Sequence, residues 1–347
     1  MPGTASRSAV SPQSPTSESE AHGTAVAAIA VGNGTDLAQG FAPGADLHVG
    51  QALDGTIDWG TYAGLMDDAR DLGAVVSNNS WNTVGQTVSN VTDGTLLSSM
   101  SPYIDAVRRF SEDGVVVFSV SNDPSETSVN LMPGLPVHVP DLEANWLAVV
   151  NARPEFDESG IISADRISAG CDEAARWCLT APGIVLAASH ESDTAYAYHG
   201  GTSHAAPMVS GSIALLAEAF PDLPPEALRA RLLVTADNGF FDHDASLDFG
   251  SGLTHGYNRE FGHGFLDLRA ALLPIGSLGV PQPSGDALSL SAPAVVSGGA
   301  GSPTPSSDRV ANTDAPPPTP ARRRRRGPRR GPRCRPHPGG DRGPARP

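Results

Sequence analysis

The sequence predicts an α/β fold in which a mostly parallel sheet carries helices on both faces. Two apolar runs, 74–81 and 115–120, have the length and composition of buried strands. A helical pattern of apolar residues precedes each run, at 60–72 and 103–110, and the first pattern stops at Gly73. Strands that alternate with helices in this way pair in parallel and are covered on both faces.

Further predicted elements extend this alternation. They are the helices 22–31 and 225–236 and the short buried strands 47–53 and 146–151. Functional side chains in such sheets collect at the carboxyl ends of the strands. Residues 78–81 and 121–122 both fall at a predicted strand end and are therefore candidate site residues.

Composition divides the 347 residues into four segments. They are a Ser-, Pro- and Glu-rich segment at 1–20 that is predicted to be disordered, a folded domain at 21–275, a Pro/Ser/Gly-rich linker at 276–321, and an Arg/Pro-rich tail at 322–347. The tail is interpreted as disordered or as the product of a frameshift. The first segment lacks the apolar centre of a signal peptide.

The charge distribution argues against a nucleic-acid partner for the folded domain. The net charge is −15, and all 23 basic residues are arginine. Nearly half of these arginines lie in the tail, so the domain is more acidic than the net charge indicates. No apolar run reaches the roughly 20 residues that a membrane helix needs. We expect a monomer without a transmembrane segment.

The stretch 200–211, GGTSHAAPMVSG, has the composition of a nucleophile turn that runs into a helix. Two glycines allow a sharp turn and a close substrate approach before Ser203. A serine at a helix N-terminus lies among free N–H groups and at the positive end of the helix dipole, where developing negative charge is stabilised. The alternative is that Ser203 only caps the helix, since serine is common there.

A second stretch, 22–27, reads HGTAVA and places an imidazole at the start of another small-residue helix. A serine nucleophile needs a positioned base, which is usually histidine. Together the two stretches resemble the His-Gly-Thr and Gly-Thr-Ser-x-Ala-Ala-Pro boxes of the subtilisin-like serine proteases (subtilases), over roughly residues 21–273. The resemblance is closest to the passenger domains of bacterial autotransporter subtilases. It implies a subtilisin-like fold and the catalytic pair Ser203 and His22.

The resemblance also implies a catalytic aspartate upstream of His22, and this chain has no aspartate there. Such a carboxylate orients the imidazole and stabilises its charged form. Two readings stay open: the sequence begins late and the first strand or strands are missing, or the chain is a degenerate copy. We expect the loss of this catalytic aspartate to lower the catalytic rate by about 10⁴-fold.

Asn122 is the candidate for the oxyanion site. It follows an apolar strand, as the family's oxyanion asparagine does, although Ser121 stands where the family usually has glycine. An ordinary Asn-Asp-Pro turn is the alternative. By the same resemblance Ser80, Trp81 and Asn82 line the substrate-binding edge, whereas core packing is the competing interpretation of Trp81.

Three other histidines compete with His22 for the role of base. His204 directly follows Ser203 and points in a different direction, so we expect it to line the rim of the site. His199 is either solvated or part of the loop before the nucleophile, and His190 is the third. Asp267, in a stretch that resembles the one closing subtilase domains, is expected to be structural.

Cys171 and Cys178 are spaced as Cys-x6-Cys and form either a local disulfide or two free thiols, because no zinc partners accompany them. The surrounding segment resembles one in autotransporter subtilases. That resemblance implies a disulfide and an exported protein, secreted or located at the cell surface or in the periplasm of a Gram-negative bacterium.

The predicted function is therefore a serine endopeptidase that hydrolyses protein or peptide substrates through an acyl-enzyme. The alternative is a catalytically impaired pseudoprotease or an adhesin-like surface scaffold. An esterase is disfavoured because the Gly-x-Ser-x-Gly elbow is absent. No cofactor or catalytic metal is predicted, and a structural calcium ion stays open.

Overall fold

The computed structural model describes most of the folded domain. It covers residues 18–34, 37–50, 58–92, 94–192, 194–250, 252–275, 279–281 and 287–289. All of them lie in one compact unit, Met1–Asp314. The predicted tail at 322–347 lies outside the described residues.

The central sheet is mostly parallel, as predicted. Four strands follow the order β1 (Val76–Asn79), β2 (Val115–Ser119), β3 (Trp146–Asp157) and β5 (Cys178–Ala181), with every neighbouring pair parallel. Strand β4 (Gly160–Arg166) pairs antiparallel with the second half of β3. The carboxyl ends of the parallel strands therefore meet at one edge of the sheet.

Seven helices and three small hairpins surround this sheet among the described residues. The helices are α1 (Glu18–Val31), α2 (Trp59–Asp71), α3 (Gly94–Ser99), α4 (Ser101–Ser111), α5 (Thr202–Ala219), α6 (Pro225–Val234) and α7 (Leu268–Leu272). The hairpins are β6 (Ile184–Ala188) with β7 (Tyr196–Gly200), β8 (Ala245–Asp248) with β9 (Thr254–Tyr257), and β10 (Gly279–Pro281) with β11 (Ala287–Ser289). No described helix is both long and apolar enough to cross a bilayer.

Helices cover both faces of the sheet because successive side chains of each strand point to opposite faces. Strand β2 is buried along its whole length. Its Val116 and Phe118 belong to the apolar cluster that contains α2 and α4, whereas Val115 and Val117 belong to the cluster that contains α1, α5 and α6. The predicted two-faced α/β architecture is confirmed.

The predicted helices occur within a few residues of their expected bounds. Gly73 ends α2 with a φ of 78°, a left-handed conformation that suits glycine. Helix α1 starts at Glu18, four residues before the predicted helix start at residue 22. Residues 1–17 lie outside the described part of the chain.

The predicted strand at 47–53 is wrong over its described half. Residues 47–50 form no strand, and the side chains of Leu47 and Val49 are 48% and 72% exposed. The physical reason is the lack of a partner: strand β1 pairs only with β2 among the described strands, so no neighbouring ladder receives this segment. Residues 51–53 are among those not described.

The predicted linker at 276–321 contains the β10–β11 hairpin, and its other residues are not described. Cys171 and Cys178 form the disulfide that the resemblance implied, with an S–S distance of 2.03 Å and both residues fully buried. The bond closes the turn that leads into β5. By the chain-entropy account a loop of this size contributes about 2–3 kcal/mol.

A pair of histidines packs behind β5. His263 is fully buried, and its Nδ1 lies 3.1 Å from Nδ1 of His255. The two Nε2 atoms face the carbonyl oxygens of Arg176 and Ala236, at 3.2 and 3.1 Å. Burial and the neighbouring His255 lower the pKa of His263 to about 3. The ring is therefore neutral in the folded protein above that pH.

This burial predicts a loss of stability on acidification. The unfolded chain binds a proton at His263 near pH 6.5 and the folded chain does not, so the contribution is present above about pH 6.5 and is lost as the pH falls toward 3. The slope approaches about 1.4 kcal/mol per pH unit for one proton. His263→Gln removes this titration. Urea unfolding between pH 8 and 4 should show a shallower decline for the variant; parallel profiles would contradict the account.

Candidate active site

The first turn of α5 carries Ser203 and is fastened to the end of β2 by Thr202. The Thr202 hydroxyl donates to the carbonyl oxygen of Val120 at 2.7 Å, and its backbone N–H donates to Oδ1 of Asn122 at 2.8 Å. Thr202 is buried, whereas Asn122 is exposed. Because Oδ1 of Asn122 is occupied, the orientation of the amide is fixed and its Nδ2 donor is directed away from Thr202.

Gly201 permits the close approach between this turn and Asn122. Its φ is 135°, which L side chains rarely adopt. A Cβ at this position would lie 3.0 Å from Oδ1 of Asn122 and 3.3 Å from its Nδ2. The glycine is therefore required by the backbone conformation and by the space that the asparagine occupies.

Strand β3 supplies a second attachment for the turn. The buried Asn151 accepts a hydrogen bond from the Gly183 N–H at 2.7 Å, and the Gly183 carbonyl accepts one from the Gly201 N–H at 3.0 Å. The loop after β5 is thus held between Asn151 of β3 and the turn before Ser203.

Ser80, directly after β1, provides a third attachment. This attachment depends on Pro207, which has no N–H to donate within the helix. Proline has no N–H, so the carbonyl of Ser203, four residues earlier, loses its helical donor. The Ser80 hydroxyl donates to that carbonyl at 2.8 Å. Behind it, Nδ2 of Asn78 donates to Oγ of Ser80 at 3.1 Å, and Ser210 donates to Oδ1 of Asn78 at 2.8 Å.

Three imidazole rings lie together beside this turn. The ring of His204 is 5.5 Å from that of His22 and 5.2 Å from that of His199, measured between centroids. Burial lowers the pKa of His22, and His199 lowers it further. Burial also lowers the pKa of His204 to about 4, with smaller contributions from His22 and His199. The expectation that His204 lines the rim is wrong, because the residue is only 6% exposed.

The candidate nucleophile and the candidate base share no hydrogen bond among the described contacts. The half-buried Ser203 hydroxyl donates to the Ser80 carbonyl at 3.5 Å, and no described residue makes a hydrogen bond to the His22 ring. Catalytic hydrogen bonds are often long in unliganded sites and tighten when substrate binds. The sequence-predicted residues Ser203, His22 and Asn122 are therefore gathered around one turn.

The residues predicted to line the substrate edge have different surroundings. Trp81 packs between Tyr62 and Phe118, with ring centroids 4.6 and 5.3 Å away, and its Nε1 donates to Asn79. Asn82 donates from Nδ2 to the Ser119 carbonyl at 2.9 Å. Packing and the end of β2 hold both side chains, and their role toward substrate stays a prediction.

Other candidates named from the sequence occupy separate places. His190 is exposed in the turn that follows β6. Asp267 caps α7, accepting a hydrogen bond from the Ala270 N–H at 2.8 Å, so its expected structural role agrees with its contacts. Among the residues whose positions are described, no three His, Cys, Asp or Glu side chains are placed to hold a metal ion.

A groove of about 1400 Å³ runs along β1 between α1, α2 and α5. Apolar side chains that line it include Ala27, Leu65 and Val75, and His22 also contributes to the lining. The groove follows the side of β1 that has no strand partner among the described residues. It therefore joins the edge of the sheet to the imidazole predicted as base.

Sequence reasoning missed the residues that hold the site together. Asn151 and Thr202 are buried polar residues beside strand ends, and Ser210 lies inside a helix. A signal was available for one contact: the proline four residues after Ser203 has no N–H for the Ser203 carbonyl, which then requires another donor. The partners of Asn151 and Ser210 are distant in sequence and could not be read from it.

The chain belongs to the subtilase family. The Peptidase_S8 family model, described as the subtilase family, matches residues 5–264. Serotype-specific antigen 1 of Mannheimia haemolytica is 25% identical over 239 residues, which cover 65% of this chain and 24% of that protein. The Neisserial autotransporter lipoprotein NalP of Neisseria meningitidis serogroup B is 26% identical over 271 residues, which cover 68% of this chain and 24% of that protein.

Solved structures support the same fold. The self-cleaved protease domain of PatA superimposes with a TM-score of 0.52 at 22% identity, covering 73% of this chain and 82% of that one. Fervidolysin from Fervidobacterium pennivorans, described as a keratinolytic enzyme related to subtilisin, gives a TM-score of 0.50 at 24% identity, covering 75% and 37%. The subtilisin-like fold is thus confirmed. The chain spans about a quarter of the two relatives named first.

The contact between Ser80 and the Ser203 carbonyl predicts a coupled pair of substitutions. Ser80→Ala leaves a half-buried carbonyl without a donor and should cost about 1 kcal/mol or more of unfolding free energy. In a Pro207→Ala background the alanine N–H reaches the same carbonyl, so the cost of Ser80→Ala should fall. Urea unfolding of the four proteins measures this coupling, and strictly additive effects would contradict it.

Proposed function

We propose that the chain is a serine endopeptidase domain that hydrolyses peptide bonds through an acyl-enzyme. The observation that carries this proposal is the hydrogen bond from the Thr202 N–H to Oδ1 of Asn122. Thr202 directly precedes Ser203, so this bond orients the Asn122 amide near the candidate nucleophile. This contact holds a side-chain amide beside the candidate nucleophile with its acceptor already used. Membership of the subtilase family supports the same chemistry.

Each residue has a distinct role in the proposed reaction. The Ser203 oxygen attacks the scissile carbonyl carbon while His22 takes its proton. The carbonyl oxygen becomes negatively charged and accepts hydrogen bonds from Nδ2 of Asn122 and from N–H groups in the first turn of α5. His22 then returns the proton to the departing amine. In the second step His22 takes a proton from the attacking water and gives it to the Ser203 oxygen as the acyl group leaves.

The charge state of His22 suits a base. Desolvation of its ring and the nearby His199 lower its pKa, so the imidazole is neutral at neutral pH and can accept the Ser203 proton. Because no described carboxylate is hydrogen-bonded to the ring, the imidazolium that forms has no acidic partner there. We therefore expect slow turnover from this chain compared with a site that has a complete triad.

The substrate class and location follow from the same features. We propose protein or peptide substrates, because the chain belongs to the subtilase family, and a site of action outside the cytoplasm. The buried Cys171–Cys178 disulfide supports an oxidising compartment. One relative is named as an autotransporter lipoprotein, which supports export or surface display.

The proposed nucleophile predicts the site of covalent labelling. A fluorophosphonate probe should label Ser203, with fluoride as the leaving group, and Ser203→Ala should abolish the label. Ser246→Ala, on the exposed strand β8, is the matched control and should retain it. Intact mass and peptide mapping give the readout. Labelling that persists in Ser203→Ala overturns the assignment, and a folded wild-type chain that never reacts favours the scaffold alternative.

The orientation of Asn122 predicts the effect of removing one donor. Asn122→Asp keeps the oxygen that Thr202 binds and replaces the Nδ2 donor with an oxygen. The second-order rate of phosphonylation at Ser203 should fall by roughly 10²–10³, as for loss of one oxyanion donor.

Asn258→Asp provides the control for this change. Oδ1 of Asn258 accepts hydrogen bonds from Glu260 and Phe261 in a loop after β9, so the substitution makes the same chemical change elsewhere. It should leave the rate of phosphonylation unchanged. Equal rates for wild type and Asn122→Asp would contradict the oxyanion role.

A further inference from the structure

We propose that His255 and His263 form a binding site for a divalent transition-metal ion of the Zn²⁺ class, with their two Nδ1 atoms as ligands. The pair lies behind β5, and neither histidine takes part in the proposed reaction. The inference therefore goes beyond the proposed function. The bound ion joins β9 to the segment that precedes α7.

The two rings meet through their Nδ1 atoms. These atoms are 3.1 Å apart, and the ring planes are within 21° of parallel. Two imidazole nitrogens that bind one Zn²⁺ ion at about 2.0–2.1 Å each stand about 3.0–3.4 Å apart at the bond angles of a tetrahedral or flattened site. The separation of the two nitrogens already fits a shared ion. Each ring has only to tilt so that its lone pair points to the ion, and rotation about χ2 of histidine is soft.

The contacts of the two Nε2 atoms leave lone pairs on the Nδ1 atoms. Nε2 of His263 lies 3.2 Å from the carbonyl oxygen of Arg176, and Nε2 of His255 lies 3.1 Å from that of Ala236. A carbonyl oxygen only accepts hydrogen bonds, so each Nε2 carries the proton of its ring when both bonds form. A neutral imidazole has one N–H, and both Nδ1 atoms are then lone pairs that face each other. An ion bound to both removes this repulsion.

The backbone around the pair supplies the support that metal-binding histidines need. Such a histidine usually donates its second N–H to a backbone carbonyl or a carboxylate, which fixes the tautomer and the direction of the ring. The backbone N–H of His263 also donates to the Cys178 carbonyl at 2.9 Å. His263 is fully buried and His255 is half-buried, so an ion reaches the pair from the side of His255.

The neighbouring groups select the kind of ion. Burial lowers the pKa of both rings, which keeps their lone pairs free at neutral pH. Arg176 and Arg229 lower the pKa of His263 further, so these surroundings do not attract a cation by charge. Mg²⁺ and Ca²⁺ require oxygen ligands, whereas Zn²⁺ binds neutral imidazole. Because no third His, Cys, Asp or Glu of the described residues is placed to join the pair, water completes the coordination.

A hydrogen bond between the two rings is the competing explanation. One Nδ1 then carries a proton, and the Nε2 of that ring faces its carbonyl oxygen without a donor. Asn238 does not relieve this conflict, because its Nδ2 donates to the Gly256 carbonyl at 2.8 Å and lies 3.5 Å from Nδ1 of His255. A pair that is complete with a proton has no use for Zn²⁺, so binding of the ion decides between the two explanations.

The test is Zn²⁺ binding by the full chain, dialysed against a chelator and titrated in a calorimeter. Wild type should bind one equivalent more than His255→Gln or His263→Gln. His190→Gln, at an exposed position outside the pair, is the matched control and should bind as wild type does. Ions held elsewhere in the chain stay in all four proteins, so the difference in stoichiometry reports this pair.

Thermal unfolding gives the second readout. An ion that binds only the folded state raises the unfolding midpoint as its concentration rises. Zn²⁺ should raise the midpoint of wild type and His190→Gln more than that of the other two variants, and Mg²⁺ should raise none of them. If His263→Gln does not fold, the half-buried His255 provides the deciding variant. Equal stoichiometry and equal Zn²⁺ shifts in wild type and His255→Gln overturn the inference, and so does a Mg²⁺ shift as large as that of Zn²⁺.

Discussion

The first turn of α5 depends on hydrogen bonds from residues that follow β1 and β2 and from Asn151, the last residue of β3 that pairs with β5. Ser80 after β1 binds the Ser203 carbonyl, Asn122 after β2 binds Thr202, and Asn151 in β3 binds the loop that holds Gly201. Because the three strands are parallel, their ends converge on one turn. This constraint places the candidate nucleophile and the candidate oxyanion donor together before any substrate arrives, which is the preorganisation that the proposed acyl transfer would need.

Burial sets the chemistry of the imidazoles around that turn. Desolvation lowers the pKa of both His22 and His204, so neither carries a positive charge at neutral pH. A neutral His22 fits the proposed role of proton acceptor. The same physical effect acts on His263 behind β5, where it has consequences for stability instead of catalysis.

The sequence predicted the architecture well because the apolar runs and their glycine stops are local signals. The alternation around 60–81 and 103–120 recovered α2, β1, α4 and β2. It failed at 47–50, where an apolar alternation was present but no neighbouring strand was available to pair with it. The surroundings of His204 could not be predicted from the sequence either, because they depend on α1 and β7, which lie far away along the chain. Hydrogen-bond partners across such separations are set by packing, which periodicity does not encode.

The most direct test of the central claim is a crystal structure of the phosphonylated protein. The account predicts phosphorus bonded to Oγ of Ser203, with a phosphoryl oxygen about 2.7–3.1 Å from Nδ2 of Asn122. The Thr202 N–H should still donate to Oδ1 of the same side chain. A phosphoryl oxygen directed into solvent, or an Asn122 amide released from Thr202, would contradict the claim that this contact preorganises the site.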